Sequence, residues 1–207
     1  MGLVTRFTEL IDVQYKDPRG LLGIYIGEKM TRQHRPETSW TIKLLNLQVD
    51  EDILELGCGA GYAMKLLQKQ STVNQVVGLD RSKAVLQSAT IRNRKEINKG
   101  NAQLIQGNVN QLPFQNEHFT KIFSIHSVYF WDDLPKTISE IHRVLKPGGT
   151  TVITLCEGKD GQTWEGIKSM IDEQLIPIMK QTGLKNVELK NGPDSRHFQT
   201  VAVIGEK

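Results

Sequence analysis

Glycine stands at positions 57, 59 and 61, directly after the apolar run Ile53-Leu54-Glu55-Leu56 and before a segment carrying Met64, Leu66 and Leu67. A strand that breaks into alternate glycines and then into a helix leaves a chain few folds to adopt. Glycine lets the backbone turn tightly and lets a ligand lie against the main chain with no Cβ in the way. The helix N-terminus that follows offers N–H groups to an anionic part of such a ligand. A glycine-rich turn without a ligand would give the same local pattern, so the surrounding elements decide.

Those elements alternate. Gln75 to Asp80 reads as a second strand, and Ser82 as the N-cap of a helix bearing Val85, Leu86 and Ala89. Gln103 to Gln106 is a third strand closed by Gly107-Asn108, and Lys121 to Ile125 a fourth. Leu134, Ile138, Ile141 and Leu145 recur at steps of 4, 3 and 4, the stripe of an amphipathic helix, capped by Asp133 and stopped by Pro147-Gly148-Gly149. Thr150 to Leu155 is a fifth strand. Repeated strand–helix units predict an α/β fold, a doubly wound parallel sheet with helices on both faces. The tail departs from this: a helix from Trp164 to Lys180, then Val187 to Leu189 and Phe198 to Ile204 around the turn signal Asn191-Gly192-Pro193. Two strands about a short polar turn make a hairpin, so the last strand is expected to be antiparallel.

Residues 1–50 contain no obvious strand and one short apolar helix, Thr38 to Leu47. With no repeat and no linker, the 207 residues read as a single domain: a helical cap over 1–50, a ligand-binding core over 51–155, and a helix plus hairpin over 156–207. A hydrophobic fraction of 38% and a charged fraction of 24% suit a globular protein and exclude disorder. The net charge of +3 names no partner, and the basic run Arg92, Arg94, Lys95 and Lys99 reads as a solvated helix face rather than a nucleic-acid surface. Two distant cysteines, no signal peptide and no transmembrane run lead to a cytoplasmic expectation.

Asp80 ends the second strand, 23 residues after Gly57. An acid at that strand end can accept both hydroxyls of a ribose, although an N-capping role ahead of the next helix is common. Loop and acid together favour a nucleoside-type cofactor. A dinucleotide fingerprint would need a third glycine at position 62, which is Tyr62. Glu55, two residues before the first glycine, suits a cationic ligand better than a pyrophosphate, which it would repel.

The segment Glu55-Leu56-Gly57-Cys58-Gly59-Ala60-Gly61 resembles motif I of the class I S-adenosylmethionine-dependent methyltransferases. Gly78-Leu79-Asp80 is similar to their second motif, Gly107-Asn108-Val109 with Leu112-Pro113-Phe114 to their third, and Arg143-Val144-Leu145-Lys146-Pro147-Gly148-Gly149 to the lead into their fifth strand. The resemblance spans roughly residues 50 to 155 and is nearest the small-molecule, quinone C-methyltransferase branch. It implies a Rossmann-like sheet of seven strands, mostly parallel, with an antiparallel seventh strand. It also implies S-adenosylmethionine as cofactor and S-adenosylhomocysteine as product. Carried onto this chain, Gly57, Cys58, Gly59 and Gly61 would hold the methionine part, with Glu55 on its amino-group side. Asp80 would bind the ribose, Arg81 would lie along the adenine, and Asn108 and Val109 would meet the adenine edge. The family's usual acid is Asn at position 108, a carbonyl acceptor without the charge.

Ligands of an open parallel sheet sit beyond the carboxyl ends of its strands. His126, just past the fourth strand, would therefore face the transferred methyl, as a cofactor-positioning group or a general base. A purely local hydrogen-bonding histidine is an equal reading. Tyr129 and Trp131 could wall an aromatic or apolar substrate pocket, and Met30 and His34 in the N-terminal segment could cover it. His118, His126 and His142 lack ligand spacing, and no H-x-E or C-x-x-C pair accompanies them, so no metal site is expected. The leading expectation is methyl transfer to a small molecule by in-line displacement. A nicotinamide-dependent oxidoreductase and a non-catalytic S-adenosylmethionine-binding module are the alternatives. The identity of the acceptor, the kind of atom methylated and the oligomeric state are not legible.

Overall fold

Side chains alternate along β1 (Glu51–Leu56), and the alternation divides the molecule in two. Ile53 packs with Met64, Leu67 and Leu86 on one face of the sheet. Leu54 and Leu56 pack with Ile138, Ile141 and Val144 on the other. A computed structural model describes Tyr25, Lys29 and residues 31–207.

β1, β2 (Val73–Asp80), β3 (Ala102–Gln106), β4 (Phe119–Ile125) and β5 (Leu145–Lys159) are parallel. β6 (Gln162–Thr163) folds back on the end of β5. β8 (Phe198–Glu206) inserts antiparallel between β5 and β7 (Lys185–Asn191), giving the order β3-β2-β1-β4-β5-β8-β7. The expected seven-stranded path with its antiparallel seventh member is present, and the two-residue β6 makes eight strands. β5 runs well past the expected Thr150 to Leu155, because β8 pairs with it from Thr150 as far as Lys159.

α1 (Arg35–Leu44), α2 (Tyr62–Leu67) and α3 (Lys83–Lys99) lie on the Ile53 face. α4 (Leu134–Val144) covers the Leu54 face together with a long C-terminal helix. Asp133 caps α4, its Oδ1 accepting from Lys136 N–H at 3.0 Å, as its sequence position requires. The C-terminal helix, expected to be continuous, runs as α5 (Glu165–Ser169), a π-helical turn over Met170–Leu175, and α6 (Ile176–Gln181). Pro177 has no N–H and its ring crowds the preceding turn, which the wider π-helical turn accommodates. α1 is anchored rather than loosely draped: the Thr41 and Thr154 hydroxyls lie 2.7 Å apart in the core between α1 and β5.

The order of strand addition reverses at β1, since β2 and β3 lie to one side and β4 and β5 to the other. At such a switch point the connections leave in opposite directions and open a crevice at the strands' carboxyl ends.

Candidate active site

A cavity of 530 Å³ fills that crevice. Its floor is the loop from β1 to α2. Gly57 and Cys58 both donate N–H bonds to Leu79 O, at 2.8 and 3.1 Å, and Gly59 N–H donates to Asp80 Oδ2 at 2.9 Å. Asp80 Oδ1 accepts from Ser82 N–H at 2.8 Å, while Ser82 itself caps α3 through Val85 N–H. Asp80 therefore pins the loop to the end of β2, and the N-cap role falls to Ser82.

The glycines divide by task. A Cβ on Gly59 would meet nothing within 4 Å, so its open side faces the cavity. Gly57, at φ +73°, faces the opposite constraint: a Cβ there would stand 2.5 Å from Ser127 Cβ. Gly61 does not line the cavity. Its carbonyl accepts from Asn93 Nδ2 at 3.0 Å, and its place is the contact between the loop and α3. Arg92 donates to Ala60 O, so this member of the basic run holds the loop instead of facing solvent alone.

Glu55, Gly57, Cys58, Gly59, Asp80, Arg81, Asn108, Val109 and His126 all line the cavity, as do His34 and Trp131. Tyr129 does not. Its hydroxyl donates to Cys156 O at 3.1 Å and accepts from Cys156 N–H, which fixes the ring against β5, and burial pushes the phenol pKa up. Its neighbour Phe130 lines the cavity instead. Met30 lies outside the described residues.

Glu55 tests whether the cavity suits S-adenosylmethionine. Its carboxyl is buried, accepts from Met64 N–H, and leaves Oε2 with no hydrogen-bond partner. Burial and the nearby Asp80 charge raise its pKa well above 4.5. An unsatisfied buried acceptor beside a cavity costs free energy until a donor arrives, and a ligand ammonium is such a donor. The open side of Gly59, Asp80 at the strand end and the orphaned Glu55 oxygen together fit an amino-acid-bearing nucleoside. Asn108 keeps the opposite wall in shape, its Oδ1 accepting from Asn110 N–H at 3.0 Å.

Ser127 is a hub that the sequence did not reveal. Its hydroxyl donates to Leu56 O at 3.0 Å, lies 2.6 Å from Ser124 Oγ and accepts from Trp131 Nε1 at 3.2 Å. It joins the ends of β1 and β4 to the aromatic wall.

His126 sits at φ +55° with its N–H bonded to Thr154 O. Its ring centroid is 4.3 Å from that of His34, and Nε2 is buried with no partner. Burial, with the His34 and Arg196 charges, holds its pKa down at about 3, and Glu37 opposes this only partly. The ring is therefore neutral at ordinary pH. Glu37 is 0% exposed and was also missed. His34 Nδ1 is 3.7 Å and Arg196 Nη2 3.4 Å from its Oε1, while Oε2 has no partner. Burial opposes ionisation of Glu37, but the neighbouring His34 and Ser195 side chains hold its pKa at about 2. Only the H-x-x-E pattern of His34 and Glu37 hints at the pair in sequence; His126 joins it through the fold.

Residues 54–153 match the methyltransferase domain family. The chain is 30% identical over 164 residues to the uncharacterized methyltransferase YdaC of Bacillus subtilis, covering 79% of this chain and 88% of that protein. It is 27% identical over 155 residues to the 2-phytyl-1,4-naphtoquinone methyltransferase of Nostoc sp. PCC 7120, covering 74% and 68%. Among solved structures, a chain from the complex of the Haloferax volcanii Trm112 methyltransferase activator with a methyltransferase superposes with a TM-score of 0.72. That match is 20% identical and covers 87% of this chain and 92% of the other.

Proposed function

The chain belongs to the class I S-adenosylmethionine-dependent methyltransferases, and from that premise we propose that it methylates a small, largely apolar acceptor of quinone or quinol type. The observation that carries the cofactor's placement is the buried Glu55 oxygen without a partner, facing a cavity floored by open glycine backbone. The nicotinamide alternative loses ground, because Tyr62 replaces the glycine a dinucleotide needs and family membership points elsewhere.

S-adenosylmethionine supplies a methyl group already activated by its sulfonium, ready for in-line displacement. The protein's share is alignment and exclusion of water. Glu55 would hold the amino group, Asp80 the ribose, and Asn108 and Val109 the adenine edge, with Arg81 along its face. Phe130 and Trp131 offer an aromatic wall to a flat acceptor. The general-base role suits His126 poorly, since a group held at about 3 takes up a proton weakly near neutrality. His34, beside the Glu37 carboxylate, lines the same cavity. Buried free thiols at Cys58 and Cys156 accord with a reducing, cytoplasmic setting. No described helix is long and apolar enough to cross a membrane.

Calorimetric titration with S-adenosylhomocysteine, followed by methyl transfer from labelled cofactor to a panel of quinols, phenols and amines, tests this reading. We expect one bound equivalent and label in the quinol arm. Folded protein that binds no cofactor would overturn it, and transfer confined to amines would overturn the acceptor class.

A further inference from the structure

We propose that His34, Glu37 and His126 form a binding site for a divalent transition-metal ion on the acceptor side of the cofactor cleft. Each of the three offers a ligand atom, and these atoms all lie within 4.8 Å of one another. Two histidines and one carboxylate are a donor set that zinc, cobalt and iron(II) accept, with positions left open for a further ligand. In a tetrahedral site with bonds near 2.1 Å the ligand atoms stand about 3.4 Å apart, so closing the cluster needs side-chain adjustments of roughly an ångström.

Two observations independent of that proximity point to a ligand. Glu37 Oε2 and His126 Nε2 are both buried and both lack a hydrogen-bond partner. Buried polar atoms in native proteins are nearly always satisfied, and here two unpartnered atoms of metal-ligating type occupy one cluster. The opposing charge is Arg196, whose guanidinium lies 3.4 Å from Glu37 Oε1 and 3.3 Å from His34 Nδ1. Arg196 is partly exposed and belongs to the connection between β7 and β8, so it can withdraw towards solvent when a cation takes its place.

His34 and His126 also line the cavity, so an open coordination position would face the acceptor. An acceptor oxygen bound there would be held and favoured as its anion. That role rests on the methyl-transfer reading above; occupancy of the site does not.

Tag-free full-length protein is titrated with Zn²⁺ by calorimetry, and the absorption spectrum of the Co²⁺ form is recorded. We expect one equivalent of zinc and four- or five-coordinate cobalt bands. Zinc affinity should fall more than about tenfold in Glu37→Gln and in His126→Gln, and hold or rise in Arg196→Ala. S-adenosylhomocysteine binding, measured alongside, should survive in Glu37→Gln and Arg196→Ala, whose side chains do not line the cavity. Wild type that takes no zinc, variants that bind it as wild type does, weaker binding in Arg196→Ala, or a purely octahedral aquo-cobalt spectrum would each overturn the site. Loss of cofactor binding with intact zinc binding would instead sink the functional reading and leave the metal site standing.

Discussion

A single residue, Glu55, carries much of the tension between stability and function. A carboxyl whose folded pKa is raised binds more protons folded than unfolded. Its stabilising contribution is full below 4.5 and is lost as pH rises through the folded pKa, so the ligand-free protein bears a cost near neutrality. Glu55→Gln removes that cost. In urea unfolding the ligand-free variant should equal or exceed wild type at about pH 8 and lose this advantage as pH falls towards the ordinary carboxyl range. Its affinity for S-adenosylhomocysteine should drop about 10- to 100-fold, because the ammonium loses a charged acceptor. A variant that is less stable at high pH and binds normally would show that the Glu55 carboxylate serves the fold and not the ligand. The place of Glu55, Gly57, Gly59 and Asp80 around the cavity was legible because each stands at a fixed step from a strand end. Glu37 and Ser127 were not, since their partners come from other parts of the chain.

At the scale of elements, α4 does more than cover the sheet. Arg143 donates to Glu140, to Phe114 O at 2.8 Å and to Leu112 O at 3.0 Å, and Glu140 Oε2 accepts from Leu112 N–H at 2.7 Å. Thr137 adds a bond to Asn110 Oδ1. The helix thus grips the loop that begins with Asn108 and Val109, which line the cavity. Arg143→Ala would leave two backbone carbonyls without their donor, at a cost of about 1–3 kcal/mol. Chemical denaturation should show that loss, and cofactor affinity should fall several-fold as the loop loosens. Arg143→Lys should rescue little, since one ammonium cannot span the same acceptors. An unchanged affinity in Arg143→Ala would separate the helix from the site. Helix α4 itself was readable from its Asp133 cap and its stripe, which was expected to run to Leu145, where β5 instead begins. Its grip on the loop was not, because Arg143 reads in sequence as a charge suited to a helix C-terminus.

The whole molecule is organised around β5, which joins the parallel strands through β4 to the antiparallel hairpin through β8. β8 supplies Val201, Ala202 and Val203, all at most 1% exposed, so its loss would bare apolar surface on both faces and an unpaired edge. Deleting residues 185–207 should give insoluble chains or chains without a cooperative melt, as followed by circular dichroism and sedimentation. A soluble truncated protein that melts cooperatively would mean that the hairpin is an appendage rather than part of one domain.

Composition, strand–helix alternation and the glycine loop by themselves determined the α/β class, the antiparallel last strand and the place of the cavity floor. These follow from periodicity and turn chemistry, which act over a few residues. Tertiary structure alone decided that Gly61 and Arg92 support the loop, that Tyr129 is bound to β5 while Phe130 lines the cavity, and that His34, Glu37 and His126 meet. Such meetings depend on which segments the sheet order makes neighbours, and no local pattern in the chain encodes that distance.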